Sequence, residues 1–390
     1  MLSRFFTDES RSKIVNTLFY LALTIELVLM IVEKSEIHIG FESYVFRLTF
    51  FLTLVAVALI KRDKKEWIAV AAITVFTAVC YKLSGKNDLL RIAVFIMAAR
   101  DIDLKKAMKY SFYLCLCGFS AIALLSVFGI LGDVVLVADY GRGIANESRL
   151  VLGFGHPNTL IGCIFVLVLM WLWIYGEKAK ICYHLVVIAI SFLFAIYTRS
   201  RTAMTVLAMV LFLGLLLRLF PKLRDVKAIY ILTGLVTPFV CIFIAVLAAG
   251  MSQHIYVGGG FNTPDNIWRI EEVLNYRISS IYYEALDRGA VLCNWKLFAG
   301  HSADGYFDMG WVRLFYWYGI IPTALIAVAI LLVIYICYKK RDPWTLLIIL
   351  SVSVYTIIEA TFVSRYIGRA FYLMIAGVYF GYLFKGKTNE

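Results

Sequence analysis

Long, nearly uncharged apolar runs are the feature that most restricts how this chain can fold. Twelve such runs occur, at roughly 14–33, 44–60, 66–83, 88–104, 107–131, 158–176, 180–198, 201–219, 228–250, 309–338, 343–360 and 366–384. About 20 helical residues cross the roughly 30 Å hydrocarbon core of a bilayer. Hydrophobic residues make up 62% of the chain, against about 45–50% in soluble domains. The sequence therefore predicts an all-α polytopic membrane protein, one membrane domain over 1–390 with about twelve transmembrane helices.

The distribution of charge predicts how these helices are oriented. A cytoplasmic N-terminus assigns 22 of the 38 Lys and Arg residues and 10 of the 26 Asp and Glu residues to cytoplasmic segments, so the whole net charge of +12 lies there. Such an excess on one face is the positive-inside pattern. An eleven-helix count would break the alternation, so the weak fourth run, which carries Arg91, is counted as a span. Both termini are predicted to be cytoplasmic, and the basic composition does not indicate nucleic-acid binding.

Arginine and lysine divide unequally between the two predicted faces. The cytoplasmic segments hold 15 Lys and 7 Arg, whereas the outer segments beyond residue 100 hold 10 Arg and 1 Lys. The planar guanidinium group can contact a phosphate through two parallel hydrogen bonds, which a lysine ammonium group does not do. The outer arginines therefore favour an anionic ligand, and pairing with carboxylates inside the helix bundle is the equal alternative.

One predicted outer loop, residues 251–308, is far longer than the others. It begins with three glycines at 258–260, and Thr263-Pro264-Asp265 is typical of a helix start. An amphipathic helix on the membrane surface, ending near Gly289, is expected there. Its apolar side at helical spacing is Ile267, Ile270, Leu274, Ile278 and Ile281. Its polar side is Arg269, Glu272, Tyr276 and Ser280.

The residues before the sixth run favour a backbone site for an anion. Gly153 and Gly155 permit a close approach of the backbone, and Pro157 suits the first turn of a helix. Amide groups at a helix start point towards an anion, and Arg149 adds a full positive charge. The alternative is an ordinary re-entry turn in which Asn158 caps the helix.

Ionisable residues at membrane depth are costly and usually functional. Arg199 and Arg201 lie in a turn between the seventh and eighth runs that is too short to solvate them. Snorkelling of these side chains to the interface is the alternative, and it is weaker for Arg201, which begins a run. Glu26 lies well inside the first run, and it is either functional or paired with Arg47 or Arg91.

Taken in order, these segments resemble the Wzy-type polysaccharide polymerases and the related O-antigen ligases. The motifs that carry the resemblance are Arg149-x-x-x-Gly153, His156-Pro157-Asn158-Thr159, Thr198-x-Ser200-Arg201-Thr202, the long outer loop, and the re-entry from Gly300 to Tyr318-Gly319. The resemblance covers roughly residues 140–320. The family commonly has Asp-Asn before an aromatic residue at the re-entry, whereas here Asp304-Gly305-Tyr306 and Asp308-Met309-Gly310 compete for that position.

The resemblance implies a lipid-dependent glycosyltransferase on the outer face of a bacterial plasma membrane. Its donor would be a growing glycan on undecaprenyl diphosphate, its acceptor one lipid-linked repeat unit, and its protein partners a flippase and a chain-length regulator. No cofactor is implied, and the 5 His and the acidic residues show no metal-ligand spacing. A ligase that passes glycan to another acceptor is the runner-up. A flippase is the alternative from another class, but no internal repeat supports it.

This chemistry assigns roles to residues of the outer segments. A general base must take the proton of the attacking sugar hydroxyl, and a histidine titrates near neutral pH. The candidate bases, in order of preference, are His301, Asp304 and Asp308. A departing diphosphate needs cations, and the candidates are Arg149, Arg199, Arg201, Arg269 and Arg277. Candidates for structural or substrate contacts are His156, Asn158 and Glu272. Anchoring of the loop is the equal alternative for His301.

Overall fold

The computed structural model describes residues 7–37, 40–139, 146–257, 264–274, 276–285, 289–360, 363 and 369–384. The expected hinge at 258–260 and the expected helix cap at Thr263 lie outside these residues. The helices are α1 Asp8–Glu33, α2 Glu42–Leu59, α3 Lys64–Ser84, α4 Asp88–Ala98, α5 Leu104–Val127, α6 Pro157–Tyr175, α7 Ile181–Thr198, α8 Arg201–Leu219, α9 Lys227–Gly234, α10 Cys241–Val257, α11 Asp265–Leu274, α12 Arg277–Tyr283, α13 Gly310–Tyr318, α14 Ile320–Lys340, α15 Pro343–Tyr355 and α16 Arg369–Phe384. Short 3₁₀ turns cover Pro221–Asp225 and Leu292–Asn294, a π turn covers Leu235–Val240, and the strands are β1 Val135–Ala138 and β2 Glu147–Leu150.

The prediction of an all-α polytopic membrane protein is confirmed. Within the described residues, 9 helices are long and apolar enough to cross a membrane, counting Lys227–Ile255 as one. The other predicted spans correspond to α4, α15 and α16, which have 11, 13 and 16 residues. At 1.5 Å per residue α4 rises by about 17 Å, roughly half of a hydrocarbon core. Nine long helices and three shorter ones therefore stand among the described residues where about twelve full spans were expected.

The chain divides into two compact units. The first comprises Met1–Val75, Leu90–Leu219 and Ile367–Glu390, and the second comprises Phe76–Leu89 and Phe220–Tyr366. In the first unit, α1 packs against α2 and α5, while α6 packs against α5, α7 and α8. The central position of α6 agrees with its burial, since 11 of its 19 residues are buried.

An ion pair in the first unit accounts for Glu26. Its Oε1 lies 3.1 Å from Nη2 of Arg91 and accepts a hydrogen bond of 2.6 Å from Thr49 Oγ1. The Arg91 guanidinium also lies 4.2 Å from the ring centre of Phe46. A buried charge is tolerated when it is paired and hydrogen-bonded in this way. The structure thus favours the pairing interpretation of Glu26, with Arg91 rather than Arg47 as its partner.

In the second unit, a break at Gly319 divides the predicted tenth span into α13 and α14. A break in an apolar segment frees backbone groups that must find other partners. The extended segment 296–299 supplies them: Ile320 N donates to Lys296 O at 2.9 Å, Ile321 N to Leu297 O at 3.1 Å, and Ala299 N to Tyr318 O at 3.2 Å. The long loop is therefore fastened by its own backbone to the point where α13 meets α14.

The single amphipathic helix expected in the loop is instead two helices, α11 and α12. Tyr276 lies between them in the left-handed conformation, with φ of 60°. The expected apolar side is largely correct, because Ile267, Ile278 and Ile281 are buried, whereas Ile270 is exposed. The apolar spacing continues across the break, so periodicity alone could not reveal it.

Replacing Gly319 should destabilise the second unit. Gly319 has φ of +101°, and a Cβ atom there would lie 2.6 Å from Leu297 O and 2.7 Å from Phe298 Cα. Left-handed strain of about 1–3 kcal/mol adds to that clash, so Gly319→Ala should lower the melting temperature in detergent by about 5 °C or more. Gly300→Ala is the matched control, because Gly300 has no positive φ and an added Cβ atom would meet nothing within 4 Å. Equal melting temperatures for the two variants would contradict this account of the break.

Candidate functional site

A hairpin in the first unit places Arg149 against a buried carboxylate. Strands β1 and β2 pair antiparallel, with Leu136 opposite Arg149 and Ala138 opposite Glu147. The Arg149 and Glu147 side chains lie on the same side of β2, two residues apart, and Arg149 Nη2 donates to Glu147 Oε2 at 2.5 Å. Both side chains are nearly fully buried. The arrangement favours the carboxylate-pairing interpretation of Arg149 over direct binding of a ligand.

Arg199 shares this carboxylate, whereas Arg201 does not. Arg199 ends α7 in the left-handed conformation, with φ of 50°, and its Nη1 lies 3.4 Å from Glu147 Oε1. Its side chain is 56% exposed, so the pair is accessible from that side. Arg201 begins α8, is exposed, and makes no ion pair with any described residue. Of the three arginines, Arg201 is therefore the most open to an anion.

The turn before α6 is built by His156 and two left-handed glycines. His156 is the N-cap residue, and its Nδ1 accepts a hydrogen bond of 3.1 Å from the Asn158 amide. Gly153 has φ of +76°, and a Cβ atom on it would lie 2.9 Å from Leu131 O. The expected close approach of the backbone is thus present. The cap is His156, however, and not Asn158 as the turn interpretation supposed.

In the second unit, helix α11 exposes two of the candidate residues and buries an acidic residue that was not among them. Arg269 and Glu272 are exposed, as expected for the polar side of the helix. Glu271 is fully buried and accepts hydrogen bonds from Ser279 N at 2.6 Å and from Ser279 Oγ at 3.3 Å. Burial raises the pKa of Glu271, although the hydrogen bonds from Ser279 act in the opposite direction. Glu271 therefore joins α11 to the start of α12.

Arg277, the first residue of α12, is clamped between two carboxylates. Its Nη2 donates to Glu359 Oε1 at 2.7 Å, its Nη1 lies 3.3 Å from Asp308 Oδ2, and it also donates to the Ile358 carbonyl. Burial disfavours the charged form, but Glu359 and Asp308 outweigh it, so the pKa of Arg277 is raised. Asp308 is 43% exposed, whereas Glu359 is buried. Asp308 is thus the accessible side of a buried ion pair.

His301 is hydrogen-bonded to the end of α3. Its Nε2 lies 3.2 Å from the Lys82 carbonyl oxygen, and because a carbonyl only accepts, Nε2 carries the proton and Nδ1 holds the lone pair. A Cβ atom at Gly85 would lie 2.5 Å from Nδ1. Any side chain at position 85 would therefore collide with the His301 ring at Nδ1, and only glycine leaves that atom room. This geometry anchors the loop and also fixes the tautomer that a base requires.

Asp304 lies beside Lys86, a residue that the sequence did not single out. Lys86 Nζ donates to Ala303 O at 2.6 Å and lies 3.8 Å from Asp304 Oδ1. The same ammonium lies 5.6 Å from the ring centre of Trp317. Asp304 Oδ1 also accepts from the Gly305 amide at 2.9 Å, and its side chain is 60% exposed. Both described contacts involve Oδ1, so Oδ2 retains capacity to accept a proton.

Arg313 is the most unusual cation of the second unit. It lies on α13 with no exposed surface, its guanidinium group interacts with the Tyr306 hydroxyl, and none of its three nitrogens makes a well-aligned hydrogen bond to a described residue. The guanidinium carbon lies 4.0 Å from the ring centre of Tyr306, 4.8 Å from that of Trp317 and 5.4 Å from that of Phe307. Cation–π contacts stabilise a desolvated cation by about 2 kcal/mol, whereas each buried unsatisfied donor costs about 1–3 kcal/mol. The rings therefore offset only part of the cost of burying Arg313.

A small open cavity of about 120 Å³ lies beside the loop junction. It is lined by Asn294, Lys296, Ala299, Gly300, Ser302, Ala303 and Tyr316. The lining combines an ammonium, an amide and a hydroxyl group with an aromatic ring. Such a surface can hydrogen-bond a sugar and stack against one of its faces.

The structure gathers the predicted residues into two groups. Arg149 and Arg199 meet on Glu147 in the first unit. In the second unit His301, Asp304, Asp308 and Arg277 lie along the end of the loop and the residues that fasten it, and Arg269 and Glu272 lie on the exposed side of α11. Tyr306 was part of a sequence motif, and the site residues to which the sequence assigned no role are Glu147, Lys86, Glu359, Arg313 and Trp317. Arg313 was discoverable as an arginine inside a predicted span, whereas nothing local distinguishes Lys86 or Glu359.

Groups of three or more histidine, cysteine, aspartate or glutamate side chains that could hold a metal ion do not occur among the described residues. Comparison of the chain with protein-family models, curated proteins and solved structures gives no significant match. A functional assignment therefore depends on the geometry of these residues and on the resemblance of short motifs.

Glu271 should make stability depend on pH. Its pKa in the folded protein is raised above the usual 4.5 by burial, so folding favours its protonated form, and its contribution to stability is lost as pH rises through the raised pKa. Glu271→Gln retains the acceptor oxygen for the Ser279 amide without the charge. The melting temperature of this variant relative to the parent should increase as pH rises from 4.5 towards neutrality. Glu272→Gln, at the exposed neighbour, is the control, and a parallel response in both variants would count against the assignment.

Proposed function

We propose that this chain is a lipid-dependent glycosyltransferase that polymerises oligosaccharide repeat units carried on undecaprenyl diphosphate. The resemblance to the Wzy-type polymerases supplies the reaction. The observation that carries the proposal is the cluster at the end of the loop, where cations, carboxylates and aromatic rings converge on residues 300–317. In our topology, residues 300–308 of the loop lie on the outer face of the plasma membrane, and α13 begins the tenth span from that face.

The cluster contains the chemical groups that this reaction needs. The oxygen of an acceptor hydroxyl attacks the anomeric carbon of the donor chain, and its proton passes to a base. The bond between the anomeric carbon and the diphosphate oxygen breaks, and the undecaprenyl diphosphate leaves with the electron pair. A base and a set of cations for the leaving group are therefore sufficient in principle.

His301 remains the first candidate for the base. Donation from Nε2 to the Lys82 carbonyl leaves Nδ1 as the basic atom, and the side chain is exposed. Asp304 is second, because it is exposed and its Oδ2 has no described contact. Asp308 is third, because its carboxylate already neutralises Arg277.

The cations divide into candidates for diphosphate contact and structural residues. Arg201 and Arg269 are exposed and without ion pairs among the described residues, so they are open to an anion. Arg199 is partly engaged by Glu147, and Arg149 and Arg277 are held in buried carboxylate pairs. Each unit thus offers an open arginine for a diphosphate, Arg201 in the first unit and Arg269 in the second, with Arg199 third and the two buried arginines as positioning residues.

The proposed orientation can be tested by cysteine labelling in intact cells. The exposed native cysteines, Cys117, Cys182 and Cys293, are first replaced by serine. Glu272→Cys should then react with a membrane-impermeant maleimide in intact cells, whereas Lys64→Cys should react only after permeabilisation, because we place Glu272 outside and Lys64 in the cytoplasm. The reverse pattern would place the loop in the cytoplasm and rule out an outer active site.

The reaction itself can be tested with purified protein and lipid-linked repeat units, with polymer length measured on a gel. The parent should give a ladder. His301→Gln retains an N–H group for the Lys82 carbonyl but cannot act as a base, so it should lower the rate by about a hundredfold to ten-thousandfold while substrate binding persists.

His301→Gln and His301→Ala together separate the two roles of this residue. If His301 only anchors the loop, His301→Gln keeps near-parental activity and His301→Ala loses it, and Asp304 becomes the base. Transfer of glycan to a non-identical acceptor without a ladder would favour the ligase alternative. Movement of lipid-linked sugar between leaflets without any bond formation would favour the flippase.

A further inference from the structure

We propose that Arg313, together with Tyr306 and Trp317, binds the carboxylate of an acidic sugar in the glycan chain. The substrate class would then include a uronic acid or a similarly carboxylated residue. The inference rests on the proposed function, because a glycan substrate supplies the ring that carries the carboxylate. It assigns a subsite that is separate from the candidate base and from the exposed arginines.

The buried guanidinium group is the first reason. All three of its nitrogens lie out of solvent, and none makes a well-aligned hydrogen bond to a described residue. Tyr306 interacts with the guanidinium group most strongly, through its charge and a side-chain hydrogen bond, and Asp308 attracts it less, but a single phenol oxygen does not complete the planar fork. A guanidinium group that donates two parallel hydrogen bonds fits a carboxylate. An incoming carboxylate would therefore satisfy donors that the described residues leave without a well-aligned acceptor.

The position of Tyr306 is the second reason. Its ring centre lies 4.0 Å from the guanidinium carbon, and the residue is 55% exposed while Arg313 is fully covered. Tyr306 is thus the covering ring on the solvent side, and a change of its rotamer would uncover the cation. Tyr306 follows Gly305, whose backbone is held by a bridge to Ala285 and by a hydrogen bond from Trp317 Nε1 at 3.2 Å. The backbone at Gly305 is therefore held in place, whereas the Tyr306 ring lies on the exposed side of Arg313.

The aromatic surroundings are the third reason. The centre of the Trp317 ring lies near two cations, 4.8 Å from the Arg313 guanidinium carbon and 5.6 Å from the Lys86 ammonium. Aromatic faces pack against the C–H face of a sugar ring, whereas a bare phosphate has no such face to offer. A fixed cation among aromatic rings therefore fits a ring-borne carboxylate better than an isolated inorganic anion.

The local charge argues for a single negative charge. Arg277 already contacts Glu359 and Asp308, and Lys86 already lies beside Asp304. Arg277, Lys86 and Arg313 thus face the three carboxylates of Glu359, Asp308 and Asp304, so a further carboxylate adds one uncompensated negative charge and a diphosphate adds at least two. Within the second unit we therefore place a diphosphate on the exposed Arg269 and the carboxylate on Arg313.

The test measures binding directly, with the purified full-length chain in detergent and no lipid-linked substrate. Saturation-transfer NMR is recorded with methyl β-glucuronide, with methyl β-glucoside as the uncharged match. The glucuronide should bind and the glucoside should bind at least tenfold more weakly. Arg313→Met, which fills the same space without charge, should weaken glucuronide binding by about tenfold to a hundredfold. Arg224→Met, at an exposed arginine outside the loop to which no role in substrate binding is assigned, should bind like the parent.

Several results would overturn the inference. Equal binding of the two glycosides by the parent would overturn it. This comparison needs no variant, so it remains decisive if Arg313→Met fails to fold. Arg313→Lys keeps the charge but not the fork, and parental affinity in that variant would exclude the bidentate contact. Displacement of the glucuronide by pyrophosphate at a tenfold lower concentration than by acetate would reassign the subsite to the diphosphate.

This measurement is independent of the polymerisation assay. Glucuronide binding that depends on Arg313, in a protein that makes no polymer, would refute the proposed function and retain the subsite. A polymer ladder from neutral repeat units, with no glucuronide binding, would retain the function and refute the subsite.

Discussion

The backbone junction between the segment 296–299 and the start of α14 holds the candidate site of the second unit in place. Gly319 ends α13 at a point where a continuous helix was expected, and the freed amides of Ile320 and Ile321 donate to Lys296 and Leu297. In a low-dielectric environment such groups cannot be left unpaired. The loop must therefore return to this point, and its final residues, 300–308, lie next to α13.

Ion pairs determine which of the polar side chains in these clusters remain open. Arg149 and Arg277 each lie in a buried pair, where a missing partner would leave a costly uncompensated charge. This burial keeps Arg149 and Arg277 from direct contact with a ligand. Arg201 begins α8 and is exposed, whereas Arg313 is buried among aromatic rings and has no ion pair with a described carboxylate.

One geometry around His301 serves both the anchoring of the loop and the role of a base that we propose for this residue. The Lys82 carbonyl fixes the proton on Nε2 of His301 and thereby makes Nδ1 the basic atom. Gly85 leaves space beside that atom, which any side chain would fill. The residue that holds the loop against α3 is thus also the residue best prepared to accept a proton.

The fold class follows from the sequence alone, because runs of about 20 apolar residues permit only membrane-spanning helices. The same reading located the loop, the buried face of α12 and the turn before α6. The break at Gly319 and the division of α11 from α12 were hidden from it, because apolar spacing continues through both. The sequence singled out the outer arginines as candidate anion contacts, but it could not tell the buried, paired Arg149 from the exposed Arg201, because that difference depends on their neighbours in the folded chain. Glu147, Glu359 and Lys86 entered the clusters through contacts that form only in the folded chain, because burial and pairing depend on which surfaces meet.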